Sequence, residues 1–181
     1  MKVSGLKSGL LMCATILVAH APLPSRAETQ STDGQWRAGV DHGTLVIFAQ
    51  DEVAAFHRRS LIARDGHTSQ SAAILAHGDP FGFVLALEDA PELWFIALDP
   101  DAGPFHQGFV HSYIAGMEES LVSEAERFAR MRIDLTAPLV ALRPDPEDRY
   151  AIEGLRADQS CVRVHLIAKR EIGPCLIGDV P

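Results

Sequence analysis

From Ser71 onward, short apolar runs alternate with polar turns at regular intervals. SAAILAH, FGFVLAL and ELWFIAL are strand-length runs, punctuated by HGDP and EDAP. Pro80 and Pro91 lack a backbone donor and have a fixed φ, which places them at the margins of these strands rather than inside them. The last fifty residues follow the same pattern: APLVALRP, YAIEGL, CVRVHLIA and KREIGPCLIG are four short runs joined by turns dense in Pro, Asp and Gly. Between the two groups, ARMRIDL places Met131, Ile133 and Leu135 on one face, so it reads as a delayed fourth strand of the earlier group.

Other stretches are less regular. GTLVIFAQ (43–50) is a strand, and residues 28–42 read as a flexible, polar lead-in carrying a lone Trp36. DEVAAFHRRSLIARDG fits a helix about as well as two short strands around a turn. The stretch from Glu118 to Arg130 carries the best helical spacing in the chain and predicts one short helix in an insertion between strands. Four strands recurring at roughly 40–50 residues are the mark of a propeller blade. The expected fold is therefore all-β, a partial β-propeller of about three four-stranded antiparallel blades over residues 43–181, and the same short strands also fit an antiparallel sandwich.

Composition narrows the function classes. Lys2 and Lys7 precede an apolar stretch from Gly9 to Ala21, and Ser25 and Ala27 supply the small residues of a cleavage site. Residues 1–27 read as a secretory signal peptide, predicting export to the periplasm. The apolar stretch is short of the roughly 20 residues a membrane span needs, and Leu11 and Met12 before Cys13 make a poor lipid-attachment signal. Loss of Lys2, Lys7 and Arg26 takes the formal charge from −8 to −11. So acidic a domain has no electrostatic basis for holding nucleic acid or an anionic membrane surface. Cys161 and Cys175 remain as an even pair, which an oxidising compartment can join. The alternative is two buried thiols on neighbouring strands that never meet. Without a CxxC, the pair alone is a weak metal-ligand set. No GxSxG elbow, glycine-rich phosphate loop or CxxCH haem-attachment motif is present. Glu88 and Asp89 most simply build the EDAP turn.

Several segments taken in order carry a family likeness. GTLVIFA (43–49), SAAILAHGDPFGFVLALEDAPELWFIALDP (71–100), GFVHSY (108–113), RIDLTAPLVALRPDPEDRYAIEG (132–154) and VRVHLIAKREIG (162–173) resemble the haem d1 propeller family. That family includes the d1 domain of cytochrome cd1 nitrite reductase and the NirF-type proteins of haem d1 biosynthesis. The resemblance implies a periplasmic eight-bladed propeller carrying haem d1 or its precursor, in the setting of denitrification. An eight-bladed ring exceeds this chain about twofold at roughly 40–50 residues per blade. Either the chain is a truncated relative, or a second copy or another chain completes the ring. Ser112 stands where the family has an acidic residue.

What the resemblance implies for the residues centres on histidine and arginine. Haem iron commonly takes a His ligand. His106 and His111 lie in the Gly-, Pro- and Asp-rich loop over 99–113, and His111 is the first choice as iron ligand and cofactor contact. Arg58 and Arg59, flanked by His57 and His67, are the basic pair able to meet tetrapyrrole carboxylates. His165 reads as a sheet-face residue and His77 as part of a turn. The expected role is an exported binding or biosynthetic accessory for haem d1, not catalytic alone. The alternative is an interaction module that has lost its cofactor.

Overall fold

In a computed structural model of the chain, the described residues are 28–103, 105–110, 119–122 and 127–175. The segment read as a signal peptide, including Cys13, lies outside them, as do His111 and Ser112. Among the described residues fourteen strands run in order: β1 (Thr29–Gln30), β2 (Trp36–Asp41), β3 (Thr44–Ala49), β4 (His57–Ser60), β5 (Ala72–Gly78), β6 (Phe81–Leu87) and β7 (Glu92–Ala97). They continue with β8 (His106–Val110), β9 (Glu119–Val122), β10 (Arg130–Asp134), β11 (Ala141–Pro144), β12 (Ala151–Leu155), β13 (Cys161–His165) and β14 (Arg170–Pro174).

Twelve of these strands form three four-stranded sheets, ordered β1-β2-β3-β4, β5-β6-β7-β10 and β11-β12-β13-β14, all antiparallel. The first strands of the sheets, β1, β5 and β11, lie next to one another, with β5 in the middle. Sheets that adjoin through their first strands and run outward to their fourth are blades of a propeller arc.

The second sheet shows why the apolar runs are continuous. Side chains alternate across a strand, so β6 and β7 send one set of residues to each face. Phe83, Leu85, Leu87, Trp94 and Ile96 join Trp36, Ala38, Val40, Leu45 and Ile47 of the first sheet in one core. Val84, Ala86, Leu93, Phe95 and Ala97 join Ile152, Val162, Val164 and Leu166 of the third sheet in another. All six residues of β7 are buried as a result. Gly82 is required where strands crowd: a Cβ there would sit 2.3 Å from the Ile96 carbonyl oxygen and 2.6 Å from the Phe95 ring.

Two expectations fail. Glu119–Val122, placed by its spacing in a helix, is instead strand β9, paired with His106–Val110, and no helix occurs among the described residues. Helical spacing over Glu118–Arg130 is a local preference that strand pairing overrides: Glu119–Val122 pairs with β8, and Arg130 opens β10 against β7. Nor is 28–42 a loose lead-in. Trp36–Asp41 is an inner strand, and Trp36 is buried between Phe56 and Phe128 at centroid distances of 5.3 Å. The polar residues around Trp36 hid an alternation in which Trp36, Ala38 and Val40 face the core. In the ambiguous stretch after it, His57–Ser60 resolves as the outer strand β4.

Candidate functional site

The described side chains richest in binding chemistry converge at the outer margin between the first and second sheets, where β4 and β10 are the last strands. On β4, His57 and Arg59 are half-buried while Arg58 and Ser60 are exposed, as period-two alternation requires. Arg59 donates to the Phe128 carbonyl across this margin at 3.4 Å. The His57 ring stacks on Phe128 at 4.8 Å, and Phe56 completes an edge-to-face trio with Trp36 and Phe128.

Phe128 is where the excursion that follows β7 returns to the second sheet. Its amide donates to the Ala97 carbonyl at 2.8 Å, and the Ala97 amide donates to Ala129 at 3.0 Å. Phe128 holds this position at φ +66°, a left-handed conformation that costs a non-glycine residue of order 1–3 kcal/mol. Burial of its ring against Trp36 and His57 offsets that cost.

Immediately after it, Arg130 and Arg132 lie on one face of β10, with their guanidiniums 4.4 and 5.3 Å from the centre of the Trp94 ring. Arg127 lies over Trp36 at 5.4 Å. Trp94 also donates its indole N–H to Glu92 at 2.8 Å, and Glu92 forms an ion pair with Arg132 at 3.2 Å and accepts the Arg64 amide at 2.8 Å. Arg132 reaches across to the Ile62 carbonyl at 3.0 Å. Burial lowers the Arg130 pKa to about 10, aided by the positive charges of Arg132 and Arg59, while Glu92 acts in the opposite direction. Desolvation and like charge both disfavour the charged form of Arg130.

The residues singled out from the sequence separate here. Arg59 enters the cluster; Arg58 faces away. His106 begins β8, which lies beside β10, and His111 lies outside the described residues. His77 is buried, with Nδ1 3.1 Å from the Pro80 carbonyl oxygen across the β5–β6 turn. His165 stacks on Tyr150 and lies 3.6 Å from an Asp148 carboxylate oxygen. His67 lies 3.2 Å from an Asp89 carboxylate oxygen; burial favours the neutral acid there, but hydrogen bonds from Ser69, His67 and Gln70 outweigh it and hold Asp89 below its ordinary range. Cys161 and Cys175 are joined by a disulfide, with Cα atoms 5.4 Å apart. Arg130, Arg132 and Phe128 are contributors that the sequence reading missed. The signal for the two arginines was present in ARMRIDL: if Met131 and Ile133 face the core, Arg130 and Arg132 share the opposite face.

Among known proteins, no family model matches the chain and no curated protein matches it. Among solved structures, the chain is similar to "Dihydro-heme d1 dehydrogenase NirN in complex with DHE" at a TM-score of 0.61 and 17% identity. The likeness covers 85% of this chain and 28% of that one, so the chain spans little more than a quarter of this neighbour's length. The fold is a partial β-propeller. In this arc the arginine–aromatic cluster occupies the seam between two blades, at the foot of the excursion that carries His106.

Proposed function

We propose that the protein is an exported accessory of the haem d1 kind that binds a flat, anionic tetrapyrrole at the margin between the first and second blades. The observation that carries this reading is the convergence of Arg59, Arg130 and Arg132 with the rings of His57, Phe128 and Trp94. Guanidiniums match carboxylates in a fork geometry, and the buried Phe128 and Trp94 hold Arg59, Arg130 and Arg132 in position. The likeness to a propeller whose structure was solved with a ligand supports the same choice. From the sequence, His111 is the proposed iron ligand, with His106 as the second candidate. Residues 1–27 direct the chain to the periplasm, and a second copy or another chain completes the ring. These side chains supply binding rather than turnover.

Titration of the purified full chain with ferric protoporphyrin IX tests the reading. A shifted, saturable Soret band is expected. Arg130→Gln should weaken binding about tenfold or more, the worth of one hydrogen bond to a charged group. His111→Ala should alter the ligand-field bands of the bound complex. Absence of any spectral change at micromolar haem would remove the binding reading, leaving the chain as an interaction module.

A further inference from the structure

The third sheet carries a second constellation of reactive side chains. Glu153 lies at the centre of β12, opposite Arg143 on β11 and Arg163 on β13. Its side chain is fully buried and paired with Arg143. One step along the same face, Leu155 pairs with Cys161, and Cys161 is bonded to Cys175 just beyond β14. The two sulfurs and a Glu153 carboxylate oxygen all lie within 4.8 Å of one another. The cysteines are half-buried, so a small reductant reaches them, whereas Glu153 is held in place from below.

We infer that Cys161, Cys175 and Glu153 form a redox-gated site for a thiophilic divalent cation, closed as the disulfide and opened by reduction. Opening is a two-electron step. A dithiol reductant transfers two electrons and two protons, the bond between the Cys161 and Cys175 sulfurs breaks, and the reductant closes its own disulfide. Zinc then binds as both thiols release their protons to solvent, forming two Zn–S bonds and one Zn–O bond to Glu153, with water in the fourth position.

The dimensions suit this assignment. Zn–S bonds of about 2.3 Å and Zn–O bonds of about 2.0–2.2 Å in a tetrahedron place ligand atoms roughly 3.5–3.8 Å apart. Small rotations of freed thiols reach that spacing from the present positions. Charge also balances. Two thiolates neutralise the dication, and Arg143 neutralises the Glu153 carboxylate while holding it by hydrogen bonds, the role that outer partners play for ligating carboxylates. Two thiolates with one carboxylate favour zinc over magnesium or calcium, which prefer oxygen donors. Cys161 and Cys175 lack CxxC spacing because the sheet, not a short loop, brings them together.

The test uses the full chain with Cys13→Ser, so that no other thiol competes. Cobalt(II) and zinc(II) are titrated against the oxidised protein and against protein reduced with a phosphine, which takes its oxygen from water. The reduced form should show thiolate-to-cobalt charge-transfer absorption that zinc abolishes, and the oxidised form should show none. Zinc should also protect Cys161 and Cys175 from alkylation, read by peptide mass in the otherwise unaltered chain. Glu153→Gln should weaken zinc binding by at least the 10–100-fold that a supporting partner is worth. Absence of the charge-transfer band in the reduced protein, or unprotected thiols, overturns the site. Glu153→Gln binding zinc as tightly as its parent removes the carboxylate and overturns the three-ligand assignment.

Discussion

The second and third sheets are both four-stranded and antiparallel with strands in chain order, yet their strands are built differently. In the second sheet every residue of β7 is buried, because one face meets the first sheet and the other meets the third. In the third sheet β13 alternates between buried and half-buried residues, and β14 between exposed and half-buried ones. Its inner face carries Ile152, Val162 and Val164; its far face carries Arg143, Glu153, Arg163 and the disulfide. A blade between two neighbours is thus held by apolar area on both faces. A blade with one neighbour in the described core replaces half of that area with ion pairs and a covalent link.

The largest expected effect comes from truncating the shared core. Trp94 is fully buried on β7, and Trp94→Ala should cost about 3–5 kcal/mol, a large share of a domain's usual total of roughly 5–15 kcal/mol. Ile172 on β14 is 38% exposed, and Ile172→Ala should stay within about 0.5 kcal/mol. Urea midpoints measure both. Similar losses at the two positions would break the contrast between a doubly covered and a singly covered sheet.

Next is the disulfide. Cys161 and Cys175 are 14 residues apart, a loop whose closure is worth about 3 kcal/mol through the unfolded chain. Reduction should lower the melting temperature and speed amide exchange in β13 and β14, while β6 and β7 stay protected. Equal loss of protection in both sheets would show that the blades open as one unit.

A smaller effect separates two crowded glycines. A Cβ at Gly82 would meet backbone, the Ile96 carbonyl oxygen at 2.3 Å, whereas one at Gly154 would meet the Leu139 Cδ1 at 2.4 Å. Overpacking costs about 1–3 kcal/mol. Gly82→Ala should fall at the upper end and resist rescue. Gly154→Ala should fall lower and recover when Leu139 is shortened to Val. Denaturant midpoints of the single and double variants decide it.

How much of this was legible follows from where each signal is local. The seven strand runs from Ser71 onward, and Met131–Leu135 as the delayed fourth strand of the second sheet, were readable because short apolar runs and Pro/Asp turns are local features. Strand β10 pairs with β7 as that reading required. The stretch 28–42 was misread because Trp36, Ala38 and Val40 alternate with Arg37, Gly39 and Asp41 without a strong apolar run, and only the neighbouring sheet makes the pattern count. Glu118–Arg130 was misread because helical spacing is a local preference that pairing overrides: Glu119–Val122 pairs with β8 and Arg130 begins β10. The margin cluster lay beyond reach as a whole, since Arg59 and Arg130 are far apart in sequence and meet only through the packing of β4 against the return at Phe128. Glu153 was hidden for the same reason: a single acid in YAIEGL is unremarkable until two cysteines from another strand and the chain beyond β14 arrive beside it.

The smallest expected effect concerns acid. At Asp145 burial favours the neutral acid, but hydrogen bonds from Arg163 and the amides of Glu147 and Asp148 outweigh it and hold the carboxyl below its ordinary range. Glu171 is lowered as well: burial again opposes, and contacts from Thr136 and Arg156 prevail. Both belong to the third sheet or its packing. A carboxylate whose folded pKa is depressed contributes stability above its unfolded value of about 3.9–4.3, and that contribution disappears as pH falls through the folded value. Acid should therefore loosen the third sheet first, with amides of β11 to β13 losing protection while those of β6 and β7 keep theirs. Because the desolvation of a buried pair offsets much of its attraction, the change should be smaller than the loss on reduction. Asp145→Asn should flatten the acid dependence of the third sheet's exchange. If β6 and β7 open first instead, the ion pairs are not what holds the far blade, and the inner face shared with the second sheet carries it alone.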